Sequence, residues 1–326
     1  MFVPSHMATK VLAMPDPQRA SRPSKPAPRT RRPVAAAVRS GLRRYPAELL
    51  ASLRPTPEHG PLPVRDVLLE LAPHGLAAAW LGHASVLATM GELTVAVDPV
   101  LSTRIGPRLG ARVFGLSRRT PLPIDAASLR GIDAVLITHA HFDHLDRPTL
   151  ARLADPRTTV IVPPRCARLI PRGFKAVIEL PAGEAIDFHG VELRALMPRH
   201  WGARAWLDRR RGFNAYILRS DDAAALFAGD TAETDVFDNL DGIDLAAFGI
   251  GAYEPWEHMH ATPEQVWRMF LASGARRLLP VHHSTFELSD EPMHEPITRL
   301  MNAAGDDAER VIVGEPGEIV VVEPPR

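Results

Sequence analysis

Over residues 1–33 the chain shows no apolar period at all. Pro, Arg and Ser crowd this stretch, and such a composition predicts a disordered basic arm. Residues 34–74 form an N-terminal extension, within which 34–54 (VAAAVRSGLRRYPAELLASLR) predicts short amphipathic helices on either side of Pro46. A basic helix with one apolar face can lie on a membrane surface or pack on the domain that follows. The pattern changes near residue 75. Ala77–Met90 reads as a strand, Gly91-Glu92 as a tight turn, and Leu93–Val97 as the hairpin partner. Ile132–Thr138 is a short continuous apolar run, the pattern of a strand buried on both faces. Further strand-like runs lie at Thr159–Val162, Val191–Leu196, Ala215–Leu218, Ala225–Ala228, Leu245–Ile250, Arg277–Val281 and Val311–Val313.

Helix signals fall between these runs. Asp146 precedes Arg147-Pro148 as an N-cap, and Thr262-Pro263-Glu264-Gln265 is a capping box with proline at the first helical position, closed by Gly274. Strands early and late without a strict βαβ rhythm predict two packed sheets covered by helices, over residues 75–326.

Charge adds an asymmetry that the totals hide. Lys plus Arg equals Asp plus Glu at 38 each, yet residues 1–60 hold eleven Lys/Arg against three acids. A basic arm of this kind can touch an anionic membrane or nucleic acid; peripheral membrane contact is the expectation, and nucleic acid is not expected because the chain leaves no room for a large insertion between Asp230 and His282. Cys166 is the single cysteine, which excludes an intramolecular disulfide and leaves any metal site to His and carboxylates. No run of 18 apolar residues spans a membrane. The apolar run after Arg31-Arg32 is too short for an export signal, so the expected location is the cytoplasm, including its membrane face.

The chemistry concentrates directly after the Ile132–Thr138 run, in Thr138-His139-Ala140-His141-Phe142-Asp143-His144-Leu145-Asp146. Imidazoles this close repel when protonated and are costly to bury unpaired. Metal binding removes both penalties, because neutral imidazoles coordinate zinc at about 2.0–2.1 Å. His139 and His141 project the same way from an extended backbone and can grip one ion, while Asp143 and His144 turn back towards a second.

The H-x-H-x-D-H motif resembles that of the metallo-β-lactamase superfamily. The resemblance implies an α+β fold, a four-layer αββα sandwich with a di-metal site at one edge of the sheets. It also implies further ligands, for which this chain offers His200, Asp230 and His282, each just after an apolar run. On that matching His139, His141, His200 and Asp230 hold one ion, and Asp143, His144, Asp230 and His282 the other. His283 competes with His282 for the last place, since only one of two adjacent residues at a strand end faces the metals. Two zinc ions are implied, with manganese or iron suited to the same donors.

Trp80-Leu81-Gly82-His83-Ala84-Ser85, Asp98-Pro99, Gly249–Pro255 and His260-x-x-Pro263-Glu264 are similar to N-acyl phosphatidylethanolamine phospholipase D and its bacterial relatives. The ascorbate-6-phosphate lactonase group is a more distant resemblance. These motifs imply a hydrolase acting on a phosphodiester of phospholipid type through a metal-activated water. Asp143 would orient that water, His260 or a metal-bound water would protonate the leaving oxygen, Asp98 would line the site, and His83 would support it. Arg104 and Trp201, from two Arg-rich loops, and Tyr253 are the expected substrate contacts. A lactonase or other carbonyl hydrolase is the alternative on the same metal pair, with a nuclease or a non-catalytic membrane-associated protein behind it.

Overall fold

The computed structural model describes residues 75–322, except 111, 205–207 and 209, together with Pro46, Leu50, Ser52, Leu53, Leu68 and Leu71. The expected disordered arm and most of the expected amphipathic helices therefore lie outside the described residues.

The apolar stretch read as one strand over Ala77–Met90 is two: β1 (Leu76–Trp80) and β2 (Val86–Met90). Gly82 (φ 93°) and His83 (φ 53°) break it, and the chain doubles back so that Ala78 pairs with Ala88. Alanines in β1 and β2 hid the turn, since the residues on both sides of it are equally apolar. Gly91 then turns the chain into β3 (Leu93–Val97), as expected. Four two-residue strands follow, β4 (Arg104–Ile105), β5 (Arg108–Leu109), β6 (Arg112–Val113) and β7 (Leu116–Ser117), pairing as two small ribbons.

Beyond them come β8 (Ala134–Leu136), helix α1 (Arg147–Leu153), β9 (Thr159–Val162), β10 (Ala176–Glu179), β11 (Ala185–Phe188) and β12 (Val191–Leu196). The last elements are β13 (Ala215–Arg219), β14 (Ala224–Phe227), β15 (Leu245–Gly249), α2 (Pro263–Ala272), β16 (Arg277–Val281), α3 (Glu295–Ala304) and β17 (Ile319–Val321). Val311–Val313 is no strand; Val311 makes one isolated bridge to Leu278.

One sheet has the order β10-β9-β8-β3-β2-β1-β17 and the other β11-β12-β13-β14-β15-β16. Alternation along the strands sorts their side chains into three layers. Leu76, Val95, Leu136 and Ile161 of the first sheet meet Leu193, Tyr216, Phe227 and Leu279 of the second in the middle layer. Ala79, Ala96, Val135 and Val160 face outward under Leu145, Leu150 and Leu153 of the α1 region. Ile217, Leu226 and Phe248 face the opposite way, under Val266 and Phe270 of α2 and Leu300 of α3. The result is the expected αββα sandwich.

The capping box at Thr262 forms in both directions with Gln265, so α2 starts where the sequence places it. Asp146 does occupy the N-cap of α1, but its carboxylate makes no capping bond and instead accepts from the hydroxyls of Ser102 and Thr149. No helix among the described residues is long and apolar enough to cross a membrane.

Strand direction positions the site. β3, β8 and β9 run parallel in one sheet, and β14, β15 and β16 run parallel in the other. The loops leaving the C-terminal ends of β3, β8, β12, β14, β15 and β16 converge at one edge, where strand hydrogen bonding stops and side chains can turn towards a shared centre.

Candidate metal centre

The segment after β8 carries His139, His141, Asp143 and His144. His200 follows β12, Asp230 follows β14 and His282 follows β16. All seven predicted ligands come together in two groups. His139, His141, His200 and Asp230 form one, and Asp143, His144 and His282 form the other with His83; Asp230 and His282 also group with His260. Asp230 Oδ2 lies 3.6 Å from His139 Nε2, 3.6 Å from His200 Nε2 and 3.2 Å from His144 Nε2, while its Oδ1 is 3.3 Å from His282 Nε2. Asp143 Oδ2 is 3.5 Å from His282 Nε2 and 3.8 Å from His144 Nε2. A tetrahedral ion with bonds of about 2.1 Å sets its donors about 3.4 Å apart, so these separations fit ion binding. His144 Nε2, His282 Nε2 and Asp230 Oδ2 are buried without a hydrogen-bond partner. Orphaned polar atoms of this kind are rare unless a further group satisfies them. The residues present fit a pair of ions.

Hydrogen bonds behind the ligands fix which ring nitrogen is free. His144 Nδ1 donates to Asp98 Oδ2 at 2.7 Å, leaving Nε2 as the ligating atom. The Thr138 hydroxyl gives its one proton to the same Asp98 oxygen at 2.5 Å, so it must accept from His139 Nδ1 at 3.0 Å. His139 is thereby also left with a bare Nε2. Thr138 N–H donates to Asp98 Oδ1 at 2.7 Å, and His200 Nδ1 donates to Met259 O at 3.1 Å. Asp98 thus orients one ligand of each group while touching neither centre. The motif assigns Thr138 no role; only the fold shows that its hydroxyl bridges Asp98 and His139.

Electrostatics divides the histidines. Burial pushes His139 and His200 well below the usual imidazole range, and takes His260 down to about 4 and His83 to about 3. Burial also opposes charge on His144, but Asp230, Asp98 and Asp143 together outweigh it and raise the ring well above its ordinary value. His282 rises to about 9, its desolvation overcome chiefly by Asp230 and Asp143. Burial works against ionisation of Asp143 and Asp230 too, yet the surrounding imidazoles, His144 foremost, hold both well below the carboxylate range. In the metal-free protein His144 and His282 therefore carry protons that an ion would displace.

Several residues in this centre hold left-handed backbone that side chains disfavour: His83 (φ 53°), Asp98 (φ 43°), Ala252 (φ 64°) and His282 (φ 61°). At Gly251 a Cβ would collide with the carbonyl of His282, so close packing of this loop against the ligand requires glycine.

The other predicted site residues divide. His282 faces the centre, whereas His283 stacks on Trp80 at 4.7 Å and bonds Ser284 Oγ, which decides between the two. His260 lies at the rim, its Nδ1 3.8 Å from Asp230 Oδ2. Burial lowers its ring to about 4. Asp98 sits behind His144 rather than lining the open site. Trp201 stands edge-on to His141 at 5.0 Å and is 37% exposed, in place for a substrate contact.

Arg104 and Tyr253 are not so placed. Arg104 is buried, with its guanidinium on Gly115 O and Ser52 Oγ. Tyr253 is buried too, its hydroxyl donating to Glu295 Oε1 at 2.8 Å under the Arg299 guanidinium. Arg204 clamps the ligand loop through Ala140 O and Leu145 O. Glu291, which no motif flagged, accepts from the amides of Ala252 and Glu254 and ties down the loop after β15.

Comparison with known proteins agrees with this geometry. Residues 94–283 match the model of a β-lactamase superfamily domain. The chain is 31% identical over 264 residues to an uncharacterized protein of Mycobacterium tuberculosis, covering 75% of this chain and 68% of that one. It is 28% identical over 272 residues to N-acyl-phosphatidylethanolamine-hydrolyzing phospholipase D 1 of Caenorhabditis elegans, covering 75% and 76%. Among solved structures, a possible metal-dependent hydrolase from Veillonella parvula shares the fold at a TM-score of 0.61 and 18% identity, over 76% of this chain and 99% of that one. Sequence match, sandwich and seven converging ligands agree: this chain belongs to the metallo-β-lactamase superfamily and is a metal-dependent hydrolase.

Proposed function

We propose that the protein is a two-metal phosphodiesterase acting on a phospholipid-like diester, with zinc as the resident ion. The observation that carries this reading is the position of Asp230. Its carboxylate lies within 3.6 Å of nitrogens from both ligand groups, so one side chain would help to hold both ions. When bound, such a pair supplies a water made nucleophilic at neutral pH and positive charge for the attacked and leaving oxygens. The similarity to the C. elegans phospholipase supports a phospholipid-like substrate.

The chain's own residues supply positioning and exclusion of water. Asp143 Oδ2 faces His83, His144 and His282, and among the described contacts nothing engages its Oδ1, which is free to accept a hydrogen bond from the attacking water. His260, neutral and at the rim, offers one ring nitrogen to hold a substrate or product oxygen. Trp201 walls the entrance beside His141. The guanidinium groups of Arg104, Arg118 and Arg204 are spent on backbone carbonyls, so these three do not meet a diester, whose negative charge a bound metal pair would offset. The basic segment over residues 1–60 suits an anionic bilayer at the cytoplasmic face as the surface where the enzyme meets such a substrate.

Metal content of the purified protein, measured with hydrolysis of bis(p-nitrophenyl) phosphate and of N-acyl phosphatidylethanolamine vesicles before and after chelation, tests this. Two zinc ions per chain and chelator-sensitive turnover of both diesters are expected. Two ions with turnover of a lactone and of neither diester overturn the substrate class. A chain that takes up no metal on reconstitution overturns the mechanism.

A further inference from the structure

His83 lies outside the seven ligands, yet it is 1% exposed and points into their midst. Its Nε2 is 3.1 Å from Asp143 Oδ2, the same oxygen that faces His144 and His282. Its ring centroid is 4.1 Å from that of His282. The backbone that presents it is held from several sides. His83 N–H donates to Thr285 Oγ1 at 2.7 Å, and His83 O accepts both the Trp80 indole N–H at 2.6 Å and the His282 amide at 2.8 Å. These bonds keep His83 at φ 53°, a conformation that a residue with a side chain rarely adopts and that persists only where its surroundings over-determine it.

The tight turn after β1 therefore does two things at once. It receives the backbone of one ligand, His282, and it aims a ring N–H at another, Asp143. A packing role would not need the polar edge of the ring on a carboxylate, and Phe286 and His282 already pack against the ring.

We infer that His83 is a positioning residue: its Nε2–H pins Asp143 Oδ2 as the single ligating oxygen of the second ion and leaves Oδ1 for the attacking water. This rests on the two-ion reading above. A carboxylate without that hydrogen bond is free to rotate or to bind through both oxygens, which weakens the second ion and removes the acceptor for water. The first ion, held by His139, His141, His200 and Asp230, does not depend on it.

Two variants of similar length separate the hydrogen bond from packing. His83→Gln keeps an N–H donor near the Nε2 position, while His83→Met fills the space without one. Zinc binding is followed by competition with a chromophoric chelator, alongside thermal midpoint and steady-state kinetics. In His83→Met the second zinc is expected to weaken by about 10- to 100-fold, the usual cost of losing a partner behind a ligand, with the first zinc unchanged. His83→Gln should recover most of that loss, and kcat should fall more than KM rises in His83→Met.

A wild-type chain binding fewer than two ions overturns the reading on which this one rests. Two ions in the wild type with undiminished second-site affinity in His83→Met overturn the role of His83 alone. Equal losses in Gln and Met variants also overturn it, since they would make His83 a ligand or a packing residue.

Discussion

Asp98→Asn replaces one carboxylate oxygen by NH2 where three donors converge. In the wild type Thr138 N–H approaches Oδ1 at 2.7 Å, while the Thr138 hydroxyl at 2.5 Å and His144 Nδ1–H at 2.7 Å approach Oδ2. Whichever way the new amide turns, its NH2 meets a donor. If it faces Thr138 N–H, that backbone bond is lost and the charge on the remaining acceptor is gone. If it faces His144, the ring must present Nδ1 as an acceptor and carry its proton on Nε2, the ligating atom. The Thr138 hydroxyl, now an acceptor from the amide, turns its own proton on His139 Nδ1 and pushes that ring into the wrong tautomer as well.

Each hydrogen bond to a charged group contributes about 1.5–3 kcal/mol, and losing one is worth about 10- to 140-fold in zinc affinity. The second case predicts weakening at both sites, because one carboxylate orients a ligand of each. Chelator competition at fixed pH, with metal counted per chain, reads both constants. Asp98→Asn that retains two zinc ions at wild-type affinity would refute the reasoning, because no arrangement of the amide satisfies all three donors.

Five further outcomes follow from the same geometry. Zinc binding at pH 7 should release two protons, from His144 and His282, seen by calorimetry in buffers of different ionisation enthalpy; no release would remove the assigned charges. The same raised values stabilise the metal-free fold fully below the ordinary imidazole value of about 6.5. The His282 share is lost as pH rises through about 9, so the apo thermal midpoint should fall across that window while the zinc form holds. His282→Ala should lose the second ion, whereas His283→Ala should keep both and lose only its stacking on Trp80, and the reverse result would exchange their roles. Trp201→Ala should raise KM several-fold with little change in thermal midpoint. Arg104→Ala should lower the midpoint, because it removes a buried guanidinium that donates to Gly115 O and Ser52 Oγ, at a cost of about 1–3 kcal/mol, and a KM effect without a stability effect would put Arg104 back in the substrate site.

Most strands were legible because burial on both sheet faces writes itself as a short apolar run. Leu93–Val97, Thr159–Val162, Val191–Leu196 and Arg277–Val281 fall where the pattern puts them. The misses have physical causes. β10 is an edge strand with three of its four residues exposed, so no alternation marks it. The turn at Gly82-His83 lies inside an apolar stretch, and its conformation is imposed by Thr285, Trp80 and His282, which are distant in sequence or simply unreadable as partners. The Arg-rich loops misled for a related reason: a guanidinium suits phosphate and backbone carbonyls equally, and composition does not say which one it meets.

By itself the sequence determined the donor chemistry. One cysteine leaves metal binding to His and carboxylates, and four ligands packed into residues 139–144 already bring both ligand groups within reach, whatever the rest of the chain does. The choice of His282 over His283 rested on the resemblance alone, because adjacent residues at a strand end differ only in the direction they point. The direction comes from the backbone of His282, whose amide is held by His83 O and whose φ is 61°. The pinning of Asp143 by His83, and the single Asp98 carboxylate behind a ligand of each group, likewise join residues 40 to 60 positions apart. Such contacts exist only after the loops from two sheets are brought to one edge, and no local pattern in the chain encodes them.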